Sequence, residues 1–313
     1  IGAGPGALPR GFDIMTASTA TLDRTCEGLC LAFSAQLIPN GFRKQGHRSA
    51  LDTLLMLAIA QANLAPLARD PEFQKTYAGL EASPPDDMRR PARVRAIATS
   101  LGVPQETARR RVVALAEAGI LAMSDDGVIL PQAFTCSPHA VEMAMETWNT
   151  FTQFYANLRR AECLSAVPAA TPDQPPPVRQ MMRLWVDHFL RLIEALMPMV
   201  GDPFSVVMLF AILDGSLAAG DGKSVSASAI ARSLGLPFES VRRNALRIAD
   251  NGLCQKVGRG YLIPPELMEE PRWRAFSERH AQILMRFFAV MREQHLLGCW
   301  EAQYLAQGGR PAA

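Results

Sequence analysis

The chain is short of net charge, of long apolar runs and of clustered metal-ligating residues. Its 32 Lys and Arg stand against 30 Asp and Glu, a formal net charge of +2. That excludes a histone-like or polybasic protein, but not a nucleic-acid binder that gathers positive charge on one face. No window offers the roughly 20 uninterrupted apolar residues of a membrane span. The most apolar one, Leu51 to Ala68, carries Asp52, Gln61, Asn63 and Pro66, and 192–213 is broken by Glu194, Pro198, Gly201, Asp202 and Pro203. No basic-then-apolar leader opens the sequence, so a cytoplasmic location without a membrane partner is expected. The six cysteines (26, 30, 136, 163, 254 and 299) never form CxxC, which reads as reduced thiols and not as a disulfide framework.

Catalytic and cofactor signals are equally sparse. His47, His139, His188, His280 and His295 show no HxxxH or HExxH spacing. Cys26 with Cys30, and His295 with Cys299, each have the spacing of two ligands on one helical face, but such residues are more often buried small hydrophobes. The stretch at Gly215-Ser-Leu lacks the glycine pattern of a nucleophile elbow. The run Ile1-Gly-Ala-Gly-Pro-Gly-Ala7 imitates a dinucleotide turn. It is followed by Leu8-Pro-Arg-Gly11 in place of a helix start, so residues 1–20 read as a flexible tail. Neither an enzyme nor a cofactor is expected.

What is present is ample apolar material and an internal repeat. At 313 residues and 49% hydrophobic, two domains are expected. The Pro-rich stretch 165–178 (SAVPAATPDQPPPV) reads as an extended linker between a first repeat, 21–164, and a second, 179–313. Sliding the sequence by 133 positions lays Ala96–Arg110 over Ala229–Arg243 without a gap. Ala96, Ile97, Ala98, Ser100, Leu101, Gly102, Pro104, Glu106, Arg109 and Arg110 are identical in that register. It continues through Ala116, Gly119, Gly127 and Pro131, and then places Phe154-Tyr155 on Phe287-Phe288.

Each copy predicts the same elements. A short helix near 94–101 or 227–234 ends at Gly102 or Gly235. Pro104 or Pro237 begins a second helix, with Glu106 or Glu239 in its first turn. Its inward stripe is Ala108, Val112 and Leu115 in one copy and Val241, Ala245 and Ile248 in the other. After Gly119 or Gly252 come two short apolar runs, 120–123 with 128–130 and 253–257 with 261–263, turned by Asp126-Gly127 and Arg259-Gly260. Asp70-Pro71 and Asp202-Pro203 are further helix starts. Apolar helices near 51–68 and 181–197 precede the modules, and long ones near 138–163 and 271–305 follow them. The aromatics of the long helices (Trp148, Phe151, Phe154, Tyr155, Phe276, Phe287, Phe288, Trp300 and Tyr304) read as core. The fold class is mainly α: tandem winged helix-turn-helix domains, duplicated, with flanking long helices and small β-hairpin wings.

The pattern from Ile97 to Arg110 with Gly119-Ile-Leu121, repeated from Ile230 to Arg243 with Gly252-Leu253, resembles the DNA-reading module of bacterial winged helix-turn-helix transcriptional regulators of the MarR, IclR and GntR kind. One departure is Val103 and Leu236, where the family usually has a Ser or Thr cap. The resemblance implies double-stranded DNA as partner, read by a pseudo-dimer within one chain. It leaves a small-molecule effector and a homodimer open. The candidate DNA contacts are Gln105, Thr107, Arg109, Arg110 and Arg111, then Phe238, Ser240, Arg242, Arg243 and Arg247, with Lys256 and Arg259 on the second wing. Charge separates the copies: 86–131 nets +1 and 221–264 nets +4, and the wing tips read Ser124-Asp-Asp-Gly127 against Lys256-Val-Gly-Arg-Gly260. The second copy is therefore expected to bind DNA more strongly. Two other readings stay open: a scaffold that uses the modules as docking surfaces, and a plasmid-type replication initiator.

Overall fold

A computed structural model describes residues 24–44, 49–171, 173–219 and 224–309. The expected 1–20 tail with its glycine-rich start, and His47, lie outside these residues. The described chain is mainly helical with two small antiparallel sheets.

In the first half, α1 (Arg24–Lys44) and α2 (Ala50–Leu64) lead through a 3-10 turn into the short α3 (Pro71–Thr76). Then follow α4 (Val94–Ser100), α5 (Gln105–Glu117), β1 (Ala122–Ser124), β2 (Gly127–Ile129), α6 (Gln132–Thr135) and α7 (Pro138–Arg160). The second half opens with α8 (Val178–Val200) and α9 (Pro203–Ala219), then β3 (Val225–Ser226), α10 (Ala227–Leu234), α11 (Phe238–Asp250), β4 (Gln255–Val257), β5 (Gly260–Leu262) and α12 (Pro265–Met268). It ends with α13 (Pro271–Glu293) and α14 (Gly298–Ala306). From α5 onward each element of the first half has a counterpart 133 residues later: 105–117 and 238–250, 122–124 and 255–257, 127–129 and 260–262, 138–160 and 271–293.

Local chemistry explains the boundaries. Gly102 and Gly235 both take φ +64°, the left-handed bend that ends α4 and α10. The next helices begin one residue later than the prolines suggest. Pro104 and Pro237 are the N-caps, and no side chain caps either helix. Asp70 caps α3 through the amides of Glu72 and Phe73, and Asp202 does the same for α9 through Phe204 and Ser205. Each hairpin gains a third short pairing. Ala92 bridges Val128 in the first, and β3 pairs with β5 in the second. This crossing is close enough that a Cβ on Gly127 would lie 2.7 Å from the Ala92 carbonyl oxygen, so only glycine fits.

Packing corrects the sequence-based pairing of elements. The helix beneath α5 and its hairpin is α2, and the helix beneath α11 and its hairpin is α9, not α8. The Leu130 amide donates to Asn63 Oδ1 at 2.9 Å, and the Ile263 amide donates to Ser216 Oγ at 3.1 Å. The outer helices cross over. α1 lies against α9, α10 and α13 of the second half as well as α7. α8 lies against α2 and α7 of the first half as well as α9 and α13. Gln61 donates to Asp187 across the α2–α8 contact, and Ser34 meets His280 across the α1–α13 contact.

The centre of this interleaved layer is aromatic. Phe33 stacks on Phe154 at 3.9 Å between ring centroids, and Phe151 stands among Trp185, Phe287 and Trp300. All nine aromatics expected in the core are buried. Within this core Glu301 receives Tyr155 Oη and a two-pronged grip from Arg159, with Nε at 3.0 Å and Nη2 at 3.1 Å. A buried carboxylate needs such pairing to offset its lost hydration.

Three sequence expectations change. Cys26 and Cys163 form a disulfide, so these two are not the reduced thiols expected. The expected long helix 271–305 is broken at Gln294–Leu297, where His295 takes φ +58°. His295 and Cys299 therefore do not share a helix, and among the described residues no cluster of three metal-ligating side chains occurs. One helical stretch, Ala50–Leu67, meets the length and apolarity of a membrane span, and half of that window is buried inside the protein.

Candidate nucleic-acid interface

The two helices that follow the glycine turns are held from behind and open in front. The buried residues of α5 are Ala108, Val112 and Leu115, and those of α11 are Val241, Ala245 and Ile248. This is the stripe that helical spacing predicts. Behind α5, Asn63 is fully buried. Its amide donates to Arg90 O at 2.8 Å and to Val128 O at 3.1 Å while its oxygen takes the Leu130 amide. Behind α11, Trp273 Nε1 donates to Leu253 O at 2.9 Å and fixes α13 beside the hairpin.

The outward residues fall into three groups. Gln105, Arg109 and Arg110 on α5, and Phe238, Arg242 and Arg243 on α11, are exposed, while Thr107 and Ser240 are half-buried. Arg109 and Arg242 are each held by a carboxylate on their own helix. Arg109 donates Nε and Nη2 to Glu106 at 3.0 and 2.8 Å, and Arg242 donates the same two atoms to Glu239 at 3.0 and 2.6 Å. The hydrogen bonds lower both carboxyl pKa values and raise those of both arginines. These forks are already engaged, so any further acceptor would have to compete with the glutamate.

Arg111 and Arg247 are turned toward the scaffold. Arg111 pairs with Asp52, a member of the capping box of α2, at 3.5 Å. Arg247 grips the N-terminus of α9 through Asp202 and Ser205 and also reaches Asn244. Arg89, one of the seven arginines in the +1 count of the first copy, is buried. It donates to Pro84 O at 2.8 Å and lies 3.3 Å from Asp86 Oδ1, and burial lowers its pKa. Sequence spacing offered no sign of these long-range partners.

The hairpin tips are exposed in both halves, Ser124–Asp126 in the first and Gln255–Arg259 in the second. The acidic pair Asp125-Asp126 is therefore exposed at the first hairpin's tip, and Lys256 and Arg259 are exposed on the second hairpin, whose strand β4 packs on α11. No ion pair holds Arg110, Arg243, Lys256 or Arg259 among the described residues. The two hairpins thus carry exposed charge of opposite sign, negative in the first half and positive in the second.

A small recess is lined by Cys163, Leu164, Ser165, Phe288, Ala289, Arg292 and Leu297. Its cavity volume of about 10 Å³ is room for one water. Comparison with protein-family models, with curated proteins and with solved structures returned no match to this chain.

Proposed function

We propose that this chain is a DNA-binding transcriptional regulator made of two winged helix-turn-helix units that act as a pseudo-dimer. In this reading α5 and α11 are the recognition helices, β1–β2 and β4–β5 are the wings, and α1 and α8 are exchanged between the units. The observation that carries it is the repeated exposed face. The turns opening α5 and α11 bear a Glu, a paired Arg and an uncommitted Arg at matching places, each backed by the same three-residue stripe. A helix presented in this way beside a hairpin fits the major groove, with arginines placed for phosphates and base edges.

The charge of the second unit supports unequal work by the two. Double substitution Arg242→Ala/Arg243→Ala is expected to weaken DNA binding more than Arg109→Ala/Arg110→Ala. Gel shifts on genomic fragments at about 50 and 200 mM salt test this, since each lost phosphate contact flattens the salt slope by about 0.9. Equal losses defeat the asymmetry. Binding to no fragment defeats the DNA reading and favours the second reading, a docking scaffold, which the acidic tip Asp125-Asp126 supports.

A further inference from the structure

Gln105 and Phe238 hold the same place on their helices. Each is the first helical residue, each follows a proline N-cap, and each is exposed. The first two turns of the helices are otherwise closely alike, although the hairpin tips differ in charge and Arg111 and Arg247 have no counterparts. The Glu–Arg pairs are the same, Thr107 faces Ser240 in the comparison, and Arg110 faces Arg243. The first helical position is thus where one recognition surface offers an amide and the other a bare ring.

Phe238 has no structural explanation. It is 51% exposed, and among the described residues it makes no ring contact with another aromatic. Among the described residues from α10 onward, the other exposed large apolar side chain is Val257, on the hairpin whose strand β4 packs on α11. Arg243 on the same helix, and Lys256 and Arg259 on that hairpin, are exposed as well. A module that exposes an apolar ring and uncommitted cations together suits a polyanion that also displays apolar groups. In the major groove of DNA the apolar group is the thymine 5-methyl.

We infer that Phe238 reads a thymine methyl group while Gln105 faces adenine, so that the chain addresses two unlike half-sites and not a palindrome. This rests on the DNA reading given above. Phe238 is then a specificity-determining residue of the second unit, and Arg243, Lys256 and Arg259 supply sequence-independent affinity.

The test starts with the full chain selecting duplexes from a random pool. In the best duplex each thymine is replaced singly by deoxyuridine, which keeps the base pair and removes only the methyl. One position should weaken wild-type binding about fourfold, the worth of one buried methyl. The same change should leave Phe238→Ala unaffected. Phe238→Gln, which gives the second helix the first helix's residue, should move the preferred base there from thymine to adenine. A wild type that binds but ignores every methyl overturns the inference and leaves the DNA reading standing. So does a methyl effect that persists in Phe238→Ala. A selection that recovers no duplex overturns both.

Discussion

Cys26, in the first turn of α1, is disulfide-bonded to Cys163, just beyond the end of α7. The bond ties residues 137 positions apart and fastens the helix that crosses into the second half. Thiol titration in denaturant without reductant should find four groups, Cys30, Cys136, Cys254 and Cys299. After reduction it should find all six cysteines. Closing so long a loop stabilises a fold by about 2–4 kcal/mol. Reductant, or Cys26→Ser without it, should lower the unfolding free energy by that amount. Six thiols before reduction would show the bond open in solution.

The Glu106–Arg109 and Glu239–Arg242 pairs are restraints on the proposed recognition helices. Each glutamate occupies an arginine fork and places a negative charge where phosphates would approach. Glu239→Gln should therefore tighten DNA binding several-fold and steepen its salt dependence by about one contact. Glu106→Gln should do the same to a smaller extent, because the exposed Asp125 and Asp126 still set negative charge on that unit. Weaker binding by Glu239→Gln would mean that the pair orients Arg242 for contact.

The elements legible in the sequence are those whose causes are local. The stripe Ala108, Val112 and Leu115, the turn at Gly102 and the hairpin at Asp126-Gly127 each depend on residues within a few positions. What was not legible depends on distant partners. α1 carries Gly28, Pro39 and Gly41 and has little amphipathic character; it is placed by contacts with α9 and α13, far along the chain. The break before α14 falls at His295, with no proline in Gln294–Leu297 to announce it. The fixed slide of 133 positions also hid a change of register. The segment between α2 and α4 is longer than that between α9 and α10, so α9, not α8, stands beneath the second unit. In the candidate site the positions of the outward residues were readable, but the capture of Arg111 by Asp52 and of Arg247 by Asp202 was not.

Asn63 should be the most sensitive single polar residue behind α5. Its fully buried side chain satisfies the Leu130 amide and two carbonyls, Arg90 O and Val128 O. Asn63→Ala removes all three partners at once and leaves a buried amide without an acceptor. A loss of about 2–4 kcal/mol follows. Chemical denaturation with a signal from the first half checks it. A loss below about 1 kcal/mol would show that water enters and takes the place of the side chain.

Two buried histidines give stability a defined pH dependence. His188 lies beside the rings of Trp185 and Phe287, and His280 shares a 2.8 Å hydrogen bond with Ser34 and lies beside Phe210. Burial pushes both pKa values from 6.5 down to about 3, and for His188 the nearby His280 and Arg191 add to the effect. Above pH 6.5 both states hold neutral imidazoles and the histidines do not affect stability. Between about 3 and 6.5 the unfolded chain binds protons that the folded chain refuses, so stability falls as pH falls. The slope approaches about 1.4 kcal/mol per pH unit for each histidine, and together they should cost about 2–4 kcal/mol between pH 7 and pH 5. Glu27 and Asp214, whose carboxyl pKa values burial raises, act in the opposite direction. The readout is therefore the difference between wild type and His188→Phe, which keeps a ring between Trp185 and Phe287. The variant should lose about half of the decline. An unchanged decline would mean that His188 takes up a proton in the folded core, or that other groups set the acid limit.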